Sequence, residues 1–390
     1  MSDRLYISGA RIYGRPQDQH FDVLIEHGRI QAIAHALEME SAAQSVAANG
    51  RVLLPGFVDC HTHACLAGSR LDEWQQKLAG VDYLELLQAG GGIMSTVRAT
   101  RAASEDELVE LLLHRLLRML KLGSTTIEVK SGYGLDTENE LKMLRAIHRA
   151  AQQFPASVVA TACIGHAIDP DVEHNRFIKQ TISETLPAVT AEFPGIALDA
   201  YCEQGAWSLD ECLRLCEAGQ EANHPIRVHA DQFNALGMIE AAVERGFVSV
   251  DHLEASSTHG LEALAASATF GVMLPASGFH LDGRYGDGRA FVDAGGRLAL
   301  ATNYNPGSAP CYSMPFVIQL AVRTLGLSID EALQASTQAG ADLLGLSDRG
   351  RIEVGQRADL LLLDETDVRN LAFEFGSAPI HSVICHGQRI

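Results

Sequence analysis

The sequence predicts an α/β fold, a (β/α)8 TIM barrel with a small β-sandwich domain formed by the two chain ends. Three observations carry this. Eight short apolar runs recur through the middle of the 390 residues, helical patterns separate most of them, and both ends hold strand-like segments instead.

The ends come first. Residues 1–54 read as short strands joined by turns, RLYISGARI, FDVLIEHGRIQAIA and SVAANGRVLL, with alternation at Val23–Ile25. The far end repeats that character in ADLLLLD (358–364) and HSVICHGQRI (381–390). Pairing of the two gives a composite domain of residues 1–54 and 355–390 around a barrel of residues 55–354.

The eight barrel strands are expected at Leu53–Cys60, Thr125–Lys130, Ser157–Ile164, Ile196–Cys202, Ile226–His229, Val248–His252, Gly271–Leu274 and Leu298–Thr302. The clearest intervening helix opens on Ser104-Glu105-Asp106-Glu107, a capping box, runs through LVELLLHRLLRMLKL and stops at Gly123. A doubly wound sheet is disfavoured because no Gly-rich phosphate loop follows the first strand. No internal repeat or low-complexity segment stands out.

Composition bounds the function. Apolar residues are 47% and charged residues 20% of the chain, as in globular proteins. A formal net charge of −19 argues against nucleic acid or an anionic membrane as partner, though not against a small anionic substrate met by a local arginine. No apolar run approaches the roughly 20 residues of a membrane span, and the N-terminus shows no secretory signal. The eight cysteines (60, 65, 163, 202, 212, 216, 311 and 385) contain no CxxC pair and read as reduced and mostly buried. The expectation is a cytoplasmic enzyme.

In such a barrel the site gathers at the C-terminal strand ends. Strand one ends in Asp59-Cys60-His61-Thr62-His63, and the side-chain period of two points His61 and His63 the same way, with Cys60 turned away. Strand two ends in Lys130-Ser131-Gly132-Tyr133, strand three in Gly165-His166, strand five in His229-Ala230-Asp231-Gln232, strand six in Asp251-His252 and strand eight in Thr302-Asn303. Histidines at four strand ends do not suit a packed core, where each imidazole needs a partner. Three histidines and an oxygen ligand suit one divalent metal, Zn2+ or Fe2+, that makes hydroxide from water near neutral pH. Hydrolytic attack on an electrophilic carbon follows.

The motifs LPGFVDCHTH (54–63) and DRGRIEVGQRADLLLLD (348–364) resemble those of the amidohydrolase superfamily. Within it the chain is similar to the imidazolonepropionase family, through AGGGIMSTVRATRAASEDEL (89–108), GSTTIEVKSGYGLDTENELKML (123–144), GHAI (165–168), HADQF (229–233), DHLE (251–254) and NPGSAP (305–310). The resemblance spans essentially the whole chain. It implies hydrolysis of 4-imidazolone-5-propionate to N-formimino-L-glutamate in histidine degradation, with metal-bound hydroxide attacking the ring carbonyl. It implies His61, His63, His229 and position 303 as metal ligands, and Arg70 and Tyr133 as anchors for the substrate carboxylate. It further implies His166 at the ring, His252 and Gln232 at the reacting carbonyl and water, Asn305, Gly307 and Ser308 near ring and tail, and a homodimer. A guanidinium fork suits a propionate tail, while the competing role for Arg70 is an ion pair with Asp72 or Glu73.

One departure matters most. The family places an aspartate where this chain has Asn303, and an amide takes no proton at neutral pH. Three readings follow: a substitution made to trap substrate, with activity impaired; a natural enzyme whose proton transfer passes to another group such as His252; or a non-catalytic ligand-binding homologue. The segment 273–296 also departs from the family, and its His280, Arg284 and Tyr285 are expected at the cleft mouth. There they would suit a ring-modified substrate, N-methylated or 2-thioxo. A nucleobase-type deaminase is the rival within the same fold.

Overall fold

A computed structural model describes residues 4–38, 44–80 and 91–390. Residues 1–3 and 39–43 of the N-terminal segment, and residues 89–90 of the stretch 89–108, lie outside that description.

Eight parallel strands form the barrel, each paired with the next in chain order. They are Phe57–Asp59, Ser124–Lys130, Ser157–Gly165, Ala197–Cys202, Ile226–Ala230, Ser249–His252, Phe270–Met273 and Leu298–Leu300. Parallel strands buried on both faces need continuous apolar runs, and these strands are almost wholly buried. Helices fill every crossover, among them Glu105–Lys121, Thr137–Gln153 and Leu209–Glu221. The Ser104 cap is as expected: its hydroxyl accepts from Glu107 N while the Glu107 carboxylate accepts from Ser104 N.

The ring closes between strands one and eight through side chains as much as backbone. Asp59 accepts from Thr302 N at 3.0 Å and from Thr302 Oγ1 at 2.6 Å, and Asn303 N donates to His61 O at 3.0 Å. Closure therefore falls on the residues that carry the expected site.

The two chain ends pair into a separate eight-stranded sheet. Its order runs Gln388–Arg389, Ile380–Cys385, Leu360–Leu363, Val52–Pro55, Arg4–Ile12, Phe21–Glu26, Arg29–Ala34, with Gln44–Ala47 beside Arg4–Ile12. Arg4–Ile12 changes partner along its length, pairing Gln44–Ala47 through Leu5–Ser8 and Val52–Pro55 through Arg11–Ile12. The sheet buries its own apolar cluster, including Ile7, Ile12, Val23, Leu53, Leu360 and Ile384.

One expected strand needs correction. Leu53–Cys60 is two strands: Val52–Pro55 pairs with Leu360–Leu363, whereas Phe57–Asp59 pairs with the second barrel strand. Gly56 separates them, and a Cβ there would lie 2.1 Å from Thr125 Oγ1. A continuous apolar run hides such a hand-over, because both segments are buried. Gly56→Ala is expected to destabilise the fold by about 1–3 kcal/mol through overpacking. Thermal unfolding measures the loss, and Thr125→Ala in the same chain should restore part of it.

Candidate active site

The strand ends open into a cavity of about 880 Å³. Beneath it lies a layer of buried charge. Lys130 Nζ donates to Glu128 at 2.8 Å and Asp199 at 2.7 Å. Arg227 donates to Asp251 at 2.6 Å, to Glu128 at 3.2 Å and to the Cys60 carbonyl at 2.8 Å. All five side chains are at most 2% exposed. Burial and Arg227 oppose the Lys130 charge, yet Asp199 and Glu128 keep its pKa above the usual lysine value. Burial likewise opposes the Asp199 charge, but His229 and Lys130 hold its pKa well below the carboxylate range.

This layer orients the histidines. His61 Nδ1 donates to Asp251 at 2.5 Å, and His229 Nδ1 donates to Asp199 at 2.8 Å. Each ring is thereby left with an unprotonated Nε2. His61 Nε2 is buried with no hydrogen-bond partner among the described residues, and so is His63 Nδ1. The Nε2 atoms of His63 and His229 lie 3.1 Å apart. Burial, then neighbouring positive charge, lowers the pKa of His61 and His63 well below the ordinary value, and burial lowers that of His229. Neutral imidazoles with orphaned buried nitrogens are the donor set a divalent cation requires, and a carboxylate behind an imidazole, as behind His61 and His229, is a usual orienting partner in such a site.

The expected ligand set needs one qualification. The mutually close nitrogens, within 4.8 Å of one another, belong to His61, His229 and His252, with His63 joining through His229. His252 is also held by a carboxylate: its Nδ1 donates to both oxygens of Glu254 at 3.2 Å. Its φ of 96° and that of Leu253 at 71° lie in the left-handed region, so the chain turns sharply as strand six ends.

Asn303 is 1% exposed and lines the cavity with φ 53°. Its side-chain and main-chain oxygens both accept from Asn305 Nδ2, at 3.2 and 2.8 Å. Asn305 organises the NPGS turn: its Oδ1 accepts from Gly307 N at 2.9 Å and Ser308 N at 2.7 Å, and its Nδ2 donates to Ser308 Oγ at 2.8 Å. That last bond leaves the Ser308 hydroxyl proton to be donated elsewhere. Asn305, Gly307 and Ser308 all line the cavity.

Arg70 also lines the cavity, and the ion pair with Glu73 is present too, whereas no bond to Asp72 is seen among the described residues. Glu73 takes the Nε and Nη2 edge of the guanidinium, at 2.6 Å for Nε. The fork expected for a substrate carboxylate is thus occupied by the protein, and Nη1 is the nitrogen beside Gly307. Burial opposes the Glu73 charge, but Arg70 and the Gly92 amide bring its pKa to about 2. Tyr133 is buried at the cavity wall. His166 donates from Nδ1 to the Gly132 carbonyl at 2.8 Å and stacks on His63 with centroids 4.7 Å apart. Burial, then His229, lowers its pKa to about 4, so it is neutral with an accepting Nε2.

The segment after strand seven is a correction. It folds as helices Pro275–Leu281 and Gly288–Asp293, and Leu281 and Asp282 reach the cavity, rather than His280, Arg284 and Tyr285. Arg284 pairs with Asp282 at 2.7 Å and lies over the Phe233 ring at 4.9 Å. His280, Arg284 and Tyr285 do not themselves line the cavity; Arg284 sits against Asp282 and Phe233, which do.

Strand four contributes groups that motif reading missed. Tyr201 and Glu203 line the cavity and Asp199 lies below it. The signal was present as polar residues at every second position of LDAYCE, in an otherwise apolar strand.

Among the described residues, no helix is long and apolar enough to cross a membrane. Residues 52–390 match the amidohydrolase family. An imidazolonepropionase of Herpetosiphon aurantiacus is 42% identical over 379 residues, covering 94% of this chain and 89% of that protein. That of Hahella chejuensis is 36% identical and covers 96% of both. Among solved structures, the 5-methylcytosine deaminase of Klebsiella pneumoniae superposes with a TM-score of 0.79 at 18% identity, covering 99% of this chain and 97% of that one. N-isopropylammelide isopropylaminohydrolase of Burkholderia multivorans gives 0.72 at 16% identity, over 100% and 98%. The chain belongs to the amidohydrolase family and groups there with imidazolonepropionases.

Proposed function

We propose that the chain hydrolyses the cyclic amide of 4-imidazolone-5-propionate, giving N-formimino-L-glutamate in histidine degradation. The observation that carries this reading is a carboxylate-backed histidine cluster with orphaned nitrogens sharing one cavity with a fixed guanidinium. The first is suited to hydrolysis and the second to an acid side chain.

His61, His63 and His229, with Asn303 Oδ1, would hold one divalent ion, Zn2+ or Fe2+. When bound, such an ion acidifies water and polarises a carbonyl. The protein's own groups do the rest. Arg70 Nη1, the Ser308 hydroxyl and Tyr133 receive the propionate. His166, accepting at Nε2, takes a ring N–H, and Gln232 and His252 hold the reacting carbonyl and water. Water oxygen joins the ring carbonyl carbon, the ring C–N bond breaks, and the departing nitrogen gains a proton.

That proton transfer is where Asn303 bears on rate. Asn303→Asp is expected to raise turnover of 4-imidazolone-5-propionate by roughly 10² to 10⁴, the size of a general base. The comparison uses two proteins of equal metal content. Equal rates would place proton transfer elsewhere in the cavity.

The carboxylate behind His61 gives a second prediction. Asp251→Asn is expected to weaken divalent-metal affinity by roughly 10–100-fold, as loss of an orienting partner does. Competition with a chromogenic chelator measures it, with circular dichroism confirming the fold. Unchanged affinity would remove His61 from the ligand set.

A further inference from the structure

The fourth strand, Ala197–Cys202, and Glu203 beyond it present Asp199, Tyr201 and Glu203 at alternate positions, so all three face the barrel interior. Each one grips the end of strand five. Asp199 holds His229 Nδ1 at 2.8 Å. Tyr201 OH donates to Gln232 Oε1 at 2.8 Å. Glu203, 4% exposed, accepts from Phe233 N at 2.8 Å, Asn234 N at 3.2 Å and Asn234 Nδ2 at 2.8 Å. Asp231 sits between His229 and Gln232 at φ 56°, a left-handed kink that turns the chain as strand five ends. The kink is pinned from the turn after strand six, where Ala255 N donates to Asp231 O at 2.6 Å and Ser256 Oγ to Oδ2 at 2.9 Å.

We infer that Tyr201 and Glu203 are positioning residues that aim the Gln232 amide at the substrate, Glu203 by fixing the backbone after Gln232 and Tyr201 by occupying its side-chain oxygen. With Oε1 engaged, Gln232 offers its NH2 group to the cavity, a donor matched to a carbonyl or ring acceptor. A side chain free to rotate about its own bonds would lose rotamer entropy on binding substrate; here that ordering is complete beforehand. The inference rests on Gln232 contacting substrate, as proposed above.

The test is a pair of double-mutant cycles on the full-length, metal-loaded protein with 4-imidazolone-5-propionate. Tyr201→Phe and Glu203→Gln are each expected to lower kcat/KM by roughly tenfold or more, with a raised KM that loss of folded protein would not produce. In a Gln232→Ala background either change should have little further effect. Fully additive losses would overturn the positioning role. A Gln232→Ala protein as active as the parent would instead reject the contact between Gln232 and substrate. A crystal structure of Glu203→Gln keeps the inference testable without turnover: residues 231–234 are expected to shift and Gln232 to lose its bond to Tyr201. A segment left in place would overturn the inference whatever the substrate.

Discussion

The site depends on the buried charge layer of Glu128, Lys130, Asp199, Arg227 and Asp251. Two cations and three carboxylates, with water excluded, are costly to assemble unless every oxygen and proton is paired. Here they are. Glu128 accepts from Lys130 and Arg227 on one oxygen and from Thr62 N at 3.0 Å on the other. Asp251 adds Ser249 Oγ at 2.5 Å to its bonds with His61 and Arg227. Such a layer adds little net stability and much order, since breaking one pair strands a charge in the core. The side chains come from strands two, four, five and six. The histidine nitrogens above them inherit that order.

A second constraint is the seam between strands one and eight. Asp59 grips Thr302, and His61 O takes Asn303 N, so the barrel closes through the residues flanking the histidine pair and the amide. The left-handed φ of Asn303 belongs to this seam: the chain leaves strand eight there and enters the NPGS turn that Asn305 holds. Asparagine and aspartate both tolerate that backbone conformation, so Asn303→Asp is compatible with the turn.

What could be read from the sequence follows from periodicity. Strand alternation placed His61 and His63 on one face, and capping chemistry placed the helix after Ser104, because both are local rules. The division at Gly56 was not legible, since two sheets that bury both faces of a strand leave the same apolar run. The place of Arg284 was not legible either, because its partners Asp282 and Phe233 are decided by how two loops meet. The guanidinium of Arg70 was located, but its orientation depends on Glu73, three residues on. Strand four was overlooked because its polar residues carry no histidine, although their alternation marked an inward-facing polar stripe.

A pattern joins these details. Several functional groups are held by carboxylates: His61 by Asp251, His229 by Asp199, Arg70 by Glu73, His252 by Glu254, and the backbone beyond Gln232 by Glu203. A carboxylate saturated with donors keeps its charge and orients its partner, and for the same reason is a poor proton acceptor. Asp199 and Glu73 are in that condition. Position 303, at the end of strand eight, brings an amide to the same cavity. Among the acids that back these side chains, only Glu254 has no donor beyond the one it orients, both its oxygens facing His252 Nδ1. Asn303, an amide, takes no proton at neutral pH, so of the groups gathered at these strand ends the Glu254 carboxylate behind His252 is the one least engaged by donors.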